Sequence, residues 1–184
     1  MNNITNNQFQ AIIGHCTKLF TQKMADYGTA WRVLRVSSLT DQIYIKAKRI
    51  RSIELKNVKM VDEGVENEFV GIINYCAMAI IQYRKGVDET DELQKSEVAK
   101  LFSSVLQEAF DLMNKKNHDY DEAWRNMRVS SLTDIILMKL LRIKQIEDNQ
   151  RNTLVSEGID ANYFDIINYA IFALILLNFQ GMNE

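Results

Sequence analysis

Proline is absent from this 184-residue chain, and cysteine and histidine occur only twice each. Without proline, nothing fixes φ or removes a helix N–H, so long unbroken helices are open to it. Cys16 and Cys76 lie 60 positions apart, outside any metal-ligand or redox spacing. They read as free thiols of a reducing compartment. Basic residues are not in excess: 22 Lys and Arg stand against 24 Asp and Glu, a net charge of −2. That excludes the cationic footprint on which direct duplex DNA binding draws. A Gly-rich phosphate loop, a nucleophile elbow and a His–Cys zinc cluster are all missing. The start, Met1 to Gln8, lacks a basic region followed by an apolar one, so no secretory signal is read and a cytoplasmic location is expected. The longest strongly apolar uncharged stretch, 166–179, has 14 residues and contains Asn168. It is short for a membrane span, and no membrane partner is expected.

What the chain does have is a copy of itself. Residues 119–147 match 26–54 at 18 of 29 positions after a shift of 93. An internal repeat of that quality governs the fold class before any single residue does. Apolar residues recur at i, i+3 and i+4 almost throughout, which predicts an all-α protein of two tandem three-helix repeats. Residues 1–84 form the first repeat, 85–95 a charged linker and 96–184 the second. A three-helix unit of that size buries little core alone. The halves are therefore expected to pack as a bundle about a pseudo-two-fold axis, and a homo-oligomer is a further option.

Within each half the expected order is the same. Thr5 with Gln8 forms a capping-box pattern for the first helix, and the second copy opens at Ser96. These helices are expected to end near Lys23 and Lys116, whose cations suit the helix dipole. Gly28 is matched by Asp121, a pairing that fits a residue with positive φ. Ser38 to Asp41 and Ser131 to Asp134 carry a second capping-box pattern, followed by Lys46 and Arg49 or Lys139 and Arg142. Asp62 and Ser156 are candidate N-caps for the third helices, about 65–83 and 159–179. Those helices are apolar nearly all round, which places them at the centre.

The polar residues kept in both copies have two readings. Asp134, Glu157 and Asp165 come from different segments of one half, and converging carboxylates would suit Mg²⁺ with a phosphate co-ligand. Asp134 and Glu157 also sit where helix-start acids belong. Asp165 lies in an apolar stretch, where it must meet a cation: Arg142, Lys139 or a metal. Arg125, Arg128, Lys139 and Arg142 are retained in kind from Arg32, Arg35, Lys46 and Arg49. Such forks and ammonium groups bind phosphates, and they bind carboxylates on neighbouring helices as well. Trp31 and Trp124 could stack on a base or plug the core. His118 is replaced by Ala25 in the sister copy, which argues against catalysis.

The ordered motifs Lys-x-x-Asp-Tyr, Trp-Arg, Arg-Val-Ser-Ser-Leu-x-Asp, Lys-x-x-Arg-Ile and Asp-Ile-Ile-Asn-Tyr-Ala resemble nucleotide-modification-associated domain 1. The resemblance covers about 8–82 and 101–177. It implies a small-molecule nucleotide as partner and an association with modified nucleotides or DNA. The chain is more distantly similar to MazG-like all-α nucleoside triphosphate pyrophosphatases, whose Glu-x-x-Asp survives only in part. Asn162-x-x-Asp165 keeps its last acid and Glu68-x-x-Gly71 its first. The resemblance implies a nucleotide-binding protein with Mg²⁺-dependent (deoxy)nucleotide hydrolysis as its furthest extension. Catalytic roles then fall to Asp134 and Asp165, metal binding to Glu157 and Asp165, and phosphate binding to Arg125, Arg128, Lys139 and Arg142. The rival is a non-catalytic helical interaction module whose polar motifs are caps and bridges. Because Gly71 replaces Asp165 in the first half, a competent site around Asp165 and a degenerate one around Gly71 are expected.

Overall fold

Each half starts with a helix that a left-handed residue stops. In the computed structural model, which describes residues 3–56, 64–89, 93–149 and 158–178, α1 spans Asn3–Tyr27. Gly28 follows with φ +63° and donates its N–H to the Met24 carbonyl at 3.0 Å. A 3₁₀ turn, Ala30–Val33, leads into α2, Val36–Lys56, and then α3, Val65–Lys85. The second half repeats this with α4 (Lys95–Tyr120), a 3₁₀ turn (Ala123–Asn126), α5 (Val129–Asp148) and α6 (Ile159–Leu176). Asp121, at φ 47°, takes the place of Gly28, and its N–H bonds the Asn117 carbonyl at 3.0 Å. No strand occurs among the described residues, so the all-α tandem repeat holds.

Helix ends differ from the sequence expectation. α1 and α4 run a turn past Lys23 and Lys116, because the left-handed residue sets the stop and not the nearest cation. α2 and α5 begin ahead of Ser38 and Ser131. The Arg128 carbonyl already accepts the Ser131 and Leu132 amides, and Arg35 does the same for Ser38 and Leu39. Those serines therefore lie in the first turn and are not caps. Gly64 and Gly158 are the N-caps of α3 and α6; Asp62 and Ser156 lie outside the described residues. Thr5 sits inside α1, where its hydroxyl and Gln8 meet Arg125 from the other half instead of closing a capping box.

The halves pair helix for helix: α3 on α6, α2 on α5, α1 on α4. Phe9 meets Phe110 and Phe20 stacks on Phe102 at 3.8 Å, an antiparallel contact. Between α2 and α5 the polar bonds come in symmetric pairs. Thr40 donates to Glu147 at 2.8 Å, and Thr133 to Glu54 at 2.9 Å. Lys144 meets Asp41 at 2.5 Å, and Arg51 meets Asp134 at 3.6 Å. Contact i to j′ matched by j to i′ is the signature of a two-fold interface, here within one chain. α3 and α6 lie at its centre and are buried along nearly their whole length. By length and composition α6 could cross a membrane, but 78% of it is buried inside the bundle. Cys16 and Cys76 are free, buried thiols, and burial pushes Cys16 up to about 12, so neither is a ready nucleophile.

Candidate functional site

The C-terminal end of α1, the 3₁₀ turn after it and the middle of α3 enclose a cavity of about 510 Å³. Its pseudo-symmetric copy lies between α4, the second 3₁₀ turn and α6, and holds about 280 Å³. Equivalent positions line both: Lys23 and Lys116, Tyr27 and Tyr120, Trp31 and Trp124, Gly71 and Asp165, Asn74 and Asn168, Tyr75 and Tyr169. The difference in size follows from a few substitutions.

In the second half the cavity is filled from within. Asp165, 6% exposed, receives Lys116 on one carboxylate oxygen and Lys139 on the other, each at 2.5 Å. Trp124 stacks on Phe172 with ring centres 4.2 Å apart and donates its indole N–H to Asn117 at 3.1 Å. The Arg125 guanidinium lies over the Trp124 ring, 4.5 Å from its centre. The Tyr169 hydroxyl is pushed up by burial and then by the Asp165 charge.

In the first half most of these fillings are gone, though Arg32 still lies over the Trp31 ring, 5.6 Å from its centre. Met78 replaces Phe172, so Trp31 meets Phe20 edge-on and has no stacking partner at that position. Met24 replaces Asn117, and the Trp31 Nε1 is buried without a hydrogen-bond partner. Asn74 donates to the Cys16 carbonyl at 3.3 Å while its Oδ1 is buried and unbonded; Asn168 in the second cavity is likewise buried, with neither amide atom bonded, so this feature is common to both. Gly71 leaves open the space that the Asp165 side chain takes in the copy. Lys46 leans into it: a β-carbon on Gly71 would lie 2.8–3.0 Å from the last atoms of that side chain. The Lys46 ammonium bonds Glu68 at 3.2 Å and lies 5.8 Å from the Tyr75 ring centre. Arg49 also pairs with Glu68. Lys23 projects exposed at the cavity wall, with the exposed Tyr27 beside it.

The residues expected to form a site in the second half are not gathered into one. Asp134 is 59% exposed and bridges to Arg51 of α2. It does not line the cavity that Asp165 lines, because it faces the other half across the α2–α5 contact. Arg125 is held by Glu122, Thr5 and Gln8. Arg128 and Arg142 are exposed and line neither cavity. Lys139 alone of the four meets Asp165, as its ion-pair partner. Glu157 lies outside the described residues. Among those described, no group of three or more His, Cys, Asp or Glu side chains is placed to hold a metal. Both oxygens of Asp165 are already taken by ammonium groups, which does not fit a Mg²⁺ ligand.

Sequence reasoning passed over Lys23 and Lys116 as helix-end cations and assigned no role to Asn74. A signal was present: Asn74–Tyr75 recurs as Asn168–Tyr169, inside a helix otherwise apolar. A polar pair kept twice in a core segment marks a wall that faces something polar.

The family model described as nucleotide modification associated domain 1 matches residues 23–83 and again 116–177. Each match runs from the lysine at the end of a first helix to the third helix, so each spans one cavity. No curated protein and no solved structure shows a significant match to the chain.

Proposed function

Because the chain belongs to the nucleotide modification associated domain 1 family, with one copy in each half, we propose that it binds a nucleotide in the first-half cavity. The observation that carries this reading is the buried, unbonded Trp31 Nε1 in that cavity's wall, whose counterpart on Trp124 is bonded to Asn117. Trp31 Nε1 offers a donor and Asn74 Oδ1 an acceptor. A nucleobase edge presents both in return, and an unmade bond at such a buried group costs about 1–3 kcal/mol. The rings of Trp31, Tyr27 and Tyr75 line the same space, and aromatic rings of this kind suit stacking on a base. Lys23 and Lys46 place cations at its wall. A volume near 510 Å³ is in the range of small-molecule sites.

The reading is of a binding protein, and hydrolysis is not part of it. The acids that a Mg²⁺-dependent mechanism would use, Asp134 and Asp165, are apart and paired with cations. The two remnants of the MazG-like Glu-x-x-Asp pattern, Glu68 and Asp165, are each held by two basic side chains. The association with nucleotide modification then rests on delivering or sensing a nucleotide.

Isothermal titration with a panel of ribo- and deoxynucleotides, with and without Mg²⁺, tests this directly. One nucleotide per chain is expected, with affinity reduced about tenfold or more by Asn74→Ala and by Trp31→Phe, which removes the indole donor. Binding unaffected by both substitutions would move the site elsewhere.

A further inference from the structure

We propose that the two cavities are one phosphate-binding design in two states, and that the Asp165 carboxylate stands where the ligand's phosphate stands in the first half. This rests on the nucleotide reading above and specifies it: the ligand is a nucleoside monophosphate, held once per chain.

The internal repeat supplies its own reference structure. Lys116 and Lys139 converge on one oxyanion, each at 2.5 Å. Their counterparts, Lys23 and Lys46, line the first cavity on either side of Gly71, where no carboxylate follows. The Gly71 backbone leaves room there for an oxyanion as large as the missing side-chain carboxyl. Lys46 falls into this room and takes Glu68 as its partner. Glu68 is replaced in the second half by Asn162, so the acid has moved one helical turn along the third helix. A phosphate seated over Gly71 would draw the Lys46 ammonium back toward the position its counterpart holds. It would also give Lys23 an anion.

Glu68 sets the charge limit. It is 5% exposed and lines the same cavity. Lys23, Lys46 and Arg49 against one glutamate leave two net positive charges at the cavity, Arg49 reaching it through Glu68. That suits a single phosphate monoester. A triphosphate would press further negative charge on Glu68 without further cations to meet it.

The second half is then self-liganded, which reverses the expectation of a competent site at Asp165 and a degenerate one at Gly71. Its fillings agree: Trp124 already has a stacked ring and a hydrogen-bond partner, as a tryptophan over a bound base would.

The test exchanges the two residues in the full chain. Gly71→Asp gives the first half its own carboxylate. The atoms it would crowd are the free end of Lys46, which can swing aside, and the second half shows that Asp is accepted at this helix position. Titration is read with a nucleoside monophosphate, the matching triphosphate and inorganic phosphate. Expected are one site in the wild type, weaker binding of the triphosphate, and loss of about tenfold or more for all probes in Gly71→Asp. Gly71→Ala, which adds bulk without charge, should lose less. Asp165→Gly should raise the number of inorganic phosphate sites to two if it folds, while Phe172 still fills the place of a base in the second half. Should it not fold, Gly71→Asp, with circular dichroism to confirm its helices, decides alone. Nucleotide binding that survives Gly71→Asp overturns this inference and leaves the nucleotide reading standing. Phosphate binding lost in Gly71→Asp, with no nucleotide ever bound, overturns the nucleotide reading and the monophosphate assignment with it, and leaves only the phosphate seat over Gly71. No binding of any probe to the wild type overturns both.

Discussion

Arg32 and Arg125 occupy the same place in the repeated Ala-Trp-Arg motif and lead different lives. Arg32 is 3% exposed and donates to Gln82. Gln82 in turn donates to the Arg32 and Leu34 carbonyls at 2.7 and 2.6 Å. Burial lowers the pKa of Arg32, with Asp88 opposing. Arg125 instead reaches across the molecule to Thr5 and Gln8. Substitutions at both ends set this: Gln82 is matched by Leu176, which can bind no guanidinium, while Thr5 and Gln8 are matched by Val98 and Leu101, which cannot hold Arg32. Gln82→Leu, the second half's own choice, should therefore cost about 2–4 kcal/mol. It strips partners from a buried charge and from two carbonyls at once. Denaturant melts of Gln82→Leu check this, and a loss under about 0.5 kcal/mol would show that Arg32 finds another partner. At this scale the sequence displayed the arginines but not their use. A retained residue says nothing of its neighbours, and those neighbours come from helices outside the retained motif. Lys23, Trp31, Gly71 and Asn74 became a site only when three separate segments were brought together.

Elements were far more legible. Periodicity and the missing proline gave six helices in two sets of three, and the apolar third helices lie at the centre as their composition requires. Gly28 and Asp121 both take positive φ, as their exchange implied. Helix starts were not legible, because Ser and Thr near a helix start were free to serve longer-range partners. Thr40 shows why. Its hydroxyl lies 2.8 Å from Glu147 of the other half and 2.7 Å from the Tyr163 hydroxyl. The α2–α5 contact thus half-buries two glutamates, Glu54 and Glu147. Burial raises both carboxyls above the ordinary 4.5, while the threonine bonds pull them down by less. The sign follows. An acid raised in the folded state binds more protons there than when unfolded, so stability falls as pH climbs from 4.5 through the folded value. Glu54→Gln with Glu147→Gln keeps both acceptors and removes the titration. The double variant should flatten that fall and be the more stable protein above it. Urea midpoints on both sides of this range measure it, and parallel pH profiles for variant and wild type would remove the glutamates as its source.

At the scale of the whole molecule the repeat behaves as a dimer written into one chain. Sequence identity between the halves is confined largely to the loop and second helix, yet every helix pairs with its counterpart. The halves differ at Gly71, Phe172 and Gln82, each matched by another residue in the sister copy, as two halves of one covalent chain are free to do. A true homodimer would change both sites with every mutation. The same logic predicts the behaviour of residues 1–89 expressed alone. In the intact protein, α3 is buried on nearly all faces, with α6 covering one side and α4 touching another. Every 100 Å² of apolar surface left bare in the fragment costs about 2.5 kcal/mol. Whole domains are stable by only about 5–15 kcal/mol, so a few such patches suffice to unfold a lone half. A second copy of the fragment can supply what α4–α6 supplied, since the contact surfaces are already two-fold related: Thr40 faces the counterpart of Glu54, and Asp41 the counterpart of Arg51. The expected result is a helical homodimer at high concentration that unfolds on dilution, with melting temperature rising with concentration by mass action. Light scattering and circular dichroism over a dilution series read both quantities. A fragment that stays folded as a monomer at every concentration would show that each half carries a sufficient core of its own, and that the pseudo-dimer is an arrangement of two independent units.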